Sequence, residues 1–178
     1  FFLLNKEGDV IGYRTGKETV TFKTKKEEGM KVLAVANISD ATMATLSTLA
    51  SKAAIKAVVL NANDLNELPK MGEATATAEA NTAITVNQIA ARIDLQKVTV
   101  NSLTNANSVT LTKVELVNQV NQIKLNESEA HVNSELVNAG IGVTELPAED
   151  TATLYTFAND ATNATALRLT FTTDGGKV

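Results

Sequence analysis

His131 is the only histidine in a chain of 178 residues that contains no cysteine. Without a second imidazole or a thiolate, neither a His/Cys metal site nor a Cys-His pair can be assembled. No serine stands in a nucleophile elbow that would give His131 a triad to serve. It reads as a surface or loop histidine. The carboxylates gather as Glu27 and Glu28, as Glu127 and Glu129, and as Glu145, Glu149 and Asp150. Paired acids can share general acid and base work, and acidic loops can hold calcium, but none of these groups has calcium-loop spacing. They read as solvated loop charge. The glycines form neither a phosphate-cradling loop nor a dinucleotide fingerprint. Arg92 lies in AARIDL, residues 90–95, where strand alternation sets Arg92 and Asp94 opposite Ile93 and Leu95. An arginine in such a strand must reach water or a carboxylate, so its role is structural. Glycosylation patterns begin at Asn37, Asn126 and Asn163, but in an Asn- and Thr-rich chain they arise easily by chance. The expectation is a protein that is not an enzyme and uses no cofactor or metal.

Composition narrows the partners. The formal charge of -4 comes from interspersed Lys and Glu, so no basic stripe is present to neutralise phosphates, and nucleic acid is not an expected partner. At 44% hydrophobic the chain can bury one good core or two small ones. The lack of cysteine is neutral on compartment. No apolar run approaches the roughly 18 residues of a bilayer span, and the opening residues are not expected to be a basic-then-apolar leader. The chain opens on Phe1, Phe2, Leu3 and Leu4 and ends two residues beyond Gly175 and Gly176, so a processed or incomplete polypeptide is expected.

The elements that must carry any site are mostly strands. Residues 1–4 and 10–13 flank a tight turn in which Gly8 supplies a positive φ, a β-hairpin. Residues 19–24 alternate Thr and Lys with Val20 and Phe22, the period of a half-buried strand. Residues 31–37 (KVLAVAN) are almost continuously apolar and read as a central strand. Ser39 and Asp40 offer N-caps to a helix over 40–55, whose Met43, Leu46, Leu49, Ala50 and Ala53 recur at helical spacing. A short helical turn is expected over 64–68, ended by Pro69. A domain boundary falls near 81–84, giving an N-terminal domain over 1–82 and a C-terminal domain over 83–178. Beyond it, Ile93, Leu95, Val98 and Val100 should face inward. Residues 109–120 read as a further strand, with Ile123 and Leu125 following a turn at Asn121 and Gln122. Residues 127–139 are a short helix or loop, punctuated by Gly140 and Gly142. Residues 154–157 and 166–172 read as an antiparallel pair. Many short strands with Thr, Asn and Gly turns argue for β-sandwiches, one per domain, rather than a parallel α/β sheet.

KVLAVAN at 31–37, LPKMGE at 68–73, AARIDL at 90–95, KVELVNQVNQIKL at 113–125 and YTFAND at 155–160, in this order, resemble segments of the Bacteroidetes fimbrillin family of type V pilins. KVLAVAN at 31–37 resembles its central strand ending in Ala-Asn before a helix, and LPKMGE at 68–73 its Leu-Pro-Met-Gly segment. AARIDL at 90–95 is similar to a strand in which a second Arg usually precedes; Asn87 or Gln88 replaces it here. KVELVNQVNQIKL at 113–125 is similar to a strand running into an Asn turn, without the usual Pro. YTFAND at 155–160 resembles a late Tyr-Phe-Glu-Asn element, with Ala158 where Glu is common. The resemblance implies two tandem transthyretin-like β-sandwich domains. The first would hold one or two short helices and lack its first strand; the second would lack its last strands. It also implies export as a lipidated precursor through the outer membrane, removal of an N-terminal strand, and polymerisation by donor-strand exchange into a cell-surface fimbria supporting adhesion and biofilm formation. Its partners would be other copies or related subunits, and host or bacterial surface ligands. Open edges are expected at Phe1, Phe2, Leu3 and Leu4 and at Leu167, Leu169 and Phe171. The alternative is a surface module that binds glycan or protein without polymerising, for which 4% aromatics and no Trp make a poor platform.

Overall fold

A computed structural model describes residues 1–62, 65, 67–96, 98–99, 108–120, 122–125, 136–142, 152–159 and 164–174. The chain is mainly β, 47% strand and 11% helix. The named strand pairs among the described residues are all antiparallel.

The expected hairpin forms as β1 (Phe2–Leu4) and β2 (Val10–Tyr13), with Gly8 at φ +92° in the turn. β3 (Lys31–Ala36) is central as expected. It lies between β1 and β5 (Lys70–Thr75), and β6 (Asn87–Gln88) completes a five-stranded sheet in the order β2-β1-β3-β5-β6. Residues 19–24, by contrast, join no ladder. Alternation specifies a face to bury, and this segment buries it by lying across the sheet rather than extending it.

The single helix expected over 40–55 is two: α1 (Asp40–Ser47) and α2 (Lys52–Lys56). Ser39 caps α1 by accepting from the Thr42 amide at 3.2 Å, and Ser51 caps α2 by accepting from Ala54 at 3.2 Å. The break is a tertiary demand. The hairpin turn docks there, with the Val10 amide donating to the Ala50 carbonyl and the Lys52 amide to the Gly8 carbonyl, both at 2.8 Å. Asp64 in the expected turn over 64–68 is outside the described residues.

α2 is tied to the sheet through Glu73, whose carboxylate meets Lys52 at 2.7 Å, Lys31 at 3.1 Å and Lys56 at 3.8 Å. Partial burial pushes the Glu73 carboxyl up, but hydrogen bonds and charge from Lys52 and Lys31 outweigh it and hold the pKa below its ordinary value. A folded pKa below the unfolded one stabilises the fold above the unfolded value, roughly 4.3 for Glu. That contribution is lost as pH falls through the depressed folded pKa. Urea titrations at pH 7 and pH 3 should therefore show Glu73→Gln less stable than wild type by about 1 kcal/mol at most at pH 7, with the difference closing at pH 3. An equal difference at both pH values would contradict it.

The second half contributes β7 (Ala90–Leu95), β8 (Ser108–Val120), β9 (Gln122–Lys124), β10 (Leu136–Gly142), β11 (Ala152–Phe157) and β12 (Ala166–Asp174). β10 and β12 flank β8, and β11 pairs with β7. The expected pairing of 154–157 with 166–172 does not occur, because those strands belong to different sheets. Gly140 and Gly142 lie inside β10 rather than punctuating a loop. Ile93, Leu95 and Val98 pack against a cluster of Leu111, Val114, Leu116 and Leu154. Arg92 is half exposed and paired with Asp94 at 2.9 Å, as the register required. Val100, His131, Gly175, Gly176 and the acidic groups at 127–129 and 145–150 lie outside the described residues.

The larger core joins Phe2, Leu4, Leu33, Leu46 and Ile55 to Ile89, Ala90, Val120, Ile123, Leu125 and Phe157. Ladder pairs also cross residues 81–84: β5 with β6, and β4 (Val59–Asn61) with β9. Residues on both sides of the expected boundary therefore share one core, while the smaller cluster belongs to the second half alone. β7, β8 and β11 run from one to the other.

Candidate functional site

Strand alternation gives the five-stranded sheet two buried faces. Phe2, Leu4, Leu33 and Met71 point into the larger core. The opposite face is a row of smaller groups set by register: Gly12, Leu3, Val32 and Ala74 stand side by side, with Ala34 beside Gly72 in the next row. Leu3, Val32 and Ala34 are buried yet belong to neither core cluster.

They are covered by two segments without strand pairing, 14–28 and 76–86. Each crosses the sheet at a glycine. A Cβ on Gly12 would stand 3.0 Å from the Phe22 ring, and one on Gly72 would stand 2.0 Å from the Thr85 carbonyl oxygen. A side chain at Gly72 would meet backbone and lift the overlying segment, whereas at Gly12 the Phe22 ring need only give by a few tenths of an ångström. The Ala76 amide, donating to the Met30 carbonyl at 2.9 Å, anchors the second segment where it leaves β5.

A cleft of about 1710 Å³ opens between and beneath these segments. Val20 and Phe22 line one side, Ile84 and Val86 the other, and Leu3, Val32 and Ala34 the floor. Small-molecule sites hold roughly 300–1,000 Å³, so the volume suits a length of chain. Both walls carry alternate apolar residues, Val20 with Phe22 and Ile84 with Val86, as a strand lying between them would require. The rim is basic, with Arg14, Lys17, Lys23 and Lys26 against Glu18 and Glu79.

The residues singled out as open edges divide. β1 is not an edge: Leu3 pairs with Gly12 on one side and Val32 on the other, and Leu4 with Val10 and Lys31. Phe1, Phe2 and Leu3 line the cleft, while Leu4 is fully buried in the core. Strand pairing to the third strand, which comes from residues 31–36, closes the edge that the hairpin alone leaves open. Leu167, Leu169 and Phe171 do lie on an edge strand, β12. The two glycine seats, Gly12 and Gly72, belong to no glycine motif. Their signal was position, since an isolated glycine inside a strand marks a close backbone approach.

Elsewhere, Glu115 is 3% exposed and is held between Lys113 and Arg168, whose guanidinium lies 2.8 Å away. Hydrogen bonding to Lys113 leads the effects that lower its pKa, against a smaller cost of burial. This is a cross-strand clamp of β8 to β12. Among the described residues, no three His, Cys, Asp or Glu side chains are grouped to hold a metal, and no helix is long and apolar enough to cross a membrane. Compared with protein families, with curated proteins and with solved structures, the chain matches none.

Proposed function

We propose that this chain is a structural subunit of a bacterial surface fimbria of the fimbrillin type, assembled by strand exchange, with the cleft as the receiving site. The observation that carries the reading is the pair of strand-like walls, 14–28 and 76–86, lying unpaired on either side of an apolar floor. A strand from another copy entering between them would pair both walls and fill the cleft above the already buried Leu3, Val32 and Ala34. Ladder bonds would supply affinity and alternate pockets specificity. The excess of basic groups on the rim favours a donor with acidic flanks.

On this reading the protein is not an enzyme. It works at the cell surface and reaches the outer membrane only through a lipidated precursor, and each half is a transthyretin-like sandwich. Electron microscopy of native surface material, with antibody to this chain, should show it at regular spacing along filaments. A synthetic peptide with apolar residues at every second position and acidic ends should raise Tm by mass action and block assembly. A chain found only as dispersed monomers, with Tm unmoved by saturating peptide, would defeat the reading.

A further inference from the structure

β12 stands at the rim of its sheet, with β8 on one side and, among the described residues, no strand on the other. Leu167 and Phe171 are exposed at 39% and 38% and flank the partly buried Leu169. All three share a face, since they alternate along β12, and a register shift between Thr170 and Phe171 brings Leu111 of β8 to the side of Val114 and Leu116, residues of one apolar cluster. An edge of this kind invites pairing unless Lys, Pro or an inward charge blunts it. From Ala166 to Thr173 the only charge is Arg168, and Glu115 already holds it, Nε to Oε2, at 3.0 Å.

The pattern around Leu169 is symmetric. We infer that β12 pairs antiparallel with β12 of a second copy, on a two-fold axis passing through Leu169. An axis perpendicular to the sheet reverses strand direction and keeps each face on its own side, as an isologous interface requires. Apolar faces then meet in three neighbouring registers. Centring on Arg168 sets two guanidinium groups opposite each other, which is unfavourable. Centring on Thr170 leaves Leu167 against Thr173 of the second copy. Centring on Leu169 sets Leu167 against Phe171 twice, Leu169 against itself, and Arg168 against Thr170. Only this register covers both exposed side chains without opposing like charges. The contact uses neither the cleft nor strand exchange, so it stands or falls apart from the proposed function.

The absence of cysteine makes the register directly measurable. Opposed Cα atoms lie about 4.5–5.5 Å apart, within the span of a disulfide. Leu169→Cys should therefore form a covalent dimer under mild oxidation. Leu167→Cys should not, since its two copies stand four residues out of register, about 13 Å apart at 3.3 Å per residue. Thr170→Cys should not either. In sedimentation, wild type should associate with rising concentration. Leu167→Lys/Phe171→Lys should raise the dissociation constant at least tenfold, with Tm unchanged at dilutions where wild type is monomeric, because both side chains are exposed. Cross-linking at Thr170→Cys in place of Leu169→Cys, or a wild-type monomer at every concentration with no Leu169→Cys dimer, overturns the inference.

Discussion

Replacing Phe157 by Ala should lower stability by about 3–5 kcal/mol, the usual cost of emptying a large buried aromatic site. For a chain of this length that corresponds to a fall in Tm of roughly 6–20 °C. Phe157 is 1% exposed and ends β11, where it joins Leu4, Leu33 and Ile55 in the larger core. The distribution of the loss matters more than its size. If residues 1–82 formed a separate unit, their amides would keep full protection when a residue at 157 was truncated. With a shared core, hydrogen exchange at Leu4 and Leu33 should accelerate along with exchange at Leu116 and Leu154. Unchanged protection in β1 and β3, with loss confined to β7, β8 and β11, would show that the halves fold independently.

The second large effect is expected at Gly72. Replacement by Ala places a Cβ 2.0 Å from the Thr85 carbonyl oxygen and 3.0 Å from the Val86 Cα, backbone atoms that cannot swing aside. Segment 82–86 must then leave the sheet, at a cost of about 1–3 kcal/mol, the usual range for overpacking. It would take with it the short β6 ladder, where Met71 faces Asn87. Gly12→Ala is the control. Its Cβ meets the Phe22 ring at 3.0 Å, and a side chain can yield by a few tenths of an ångström. Limited proteolysis should cut within 76–86 much faster in Gly72→Ala than in wild type or Gly12→Ala. Binding of the acidic strand peptide should weaken at least tenfold in Gly72→Ala alone. Equal proteolysis and peptide affinity in all three proteins would remove 76–86 as a wall of the cleft.

Much of this architecture can be read locally. The hairpin at 1–13 follows from two apolar runs and Gly8, whose positive φ needs no tertiary partner. The central place of β3 follows from its continuous apolar run, and the Arg92 register from a period of two in which one slip would turn Ile93 and Leu95 outward. Ser39 caps its helix with its own side chain. These features depend on residues within a few positions of one another, where steric preference and alternation suffice.

Partner choice is different in kind. Alternation says that residues 19–24 and 154–157 each bury a face, but backbone hydrogen bonds carry no side-chain label to say against which strand. Ladder assignment therefore waited on the fold. Residues 19–24 lie across a sheet without joining it, and 154–157 pair with β7 instead of β12. The break between α1 and α2 likewise exists because a distant turn needs the Ala50 carbonyl and the Lys52 amide. The cleft is the extreme case. Its floor comes from β1 and β3, its seats are single glycines 60 residues apart, and its walls have strand-like sequence but no strand beside them. Composition bounds what such a site can bind, but only the crossing of chain segments over Gly12 and Gly72 creates the space.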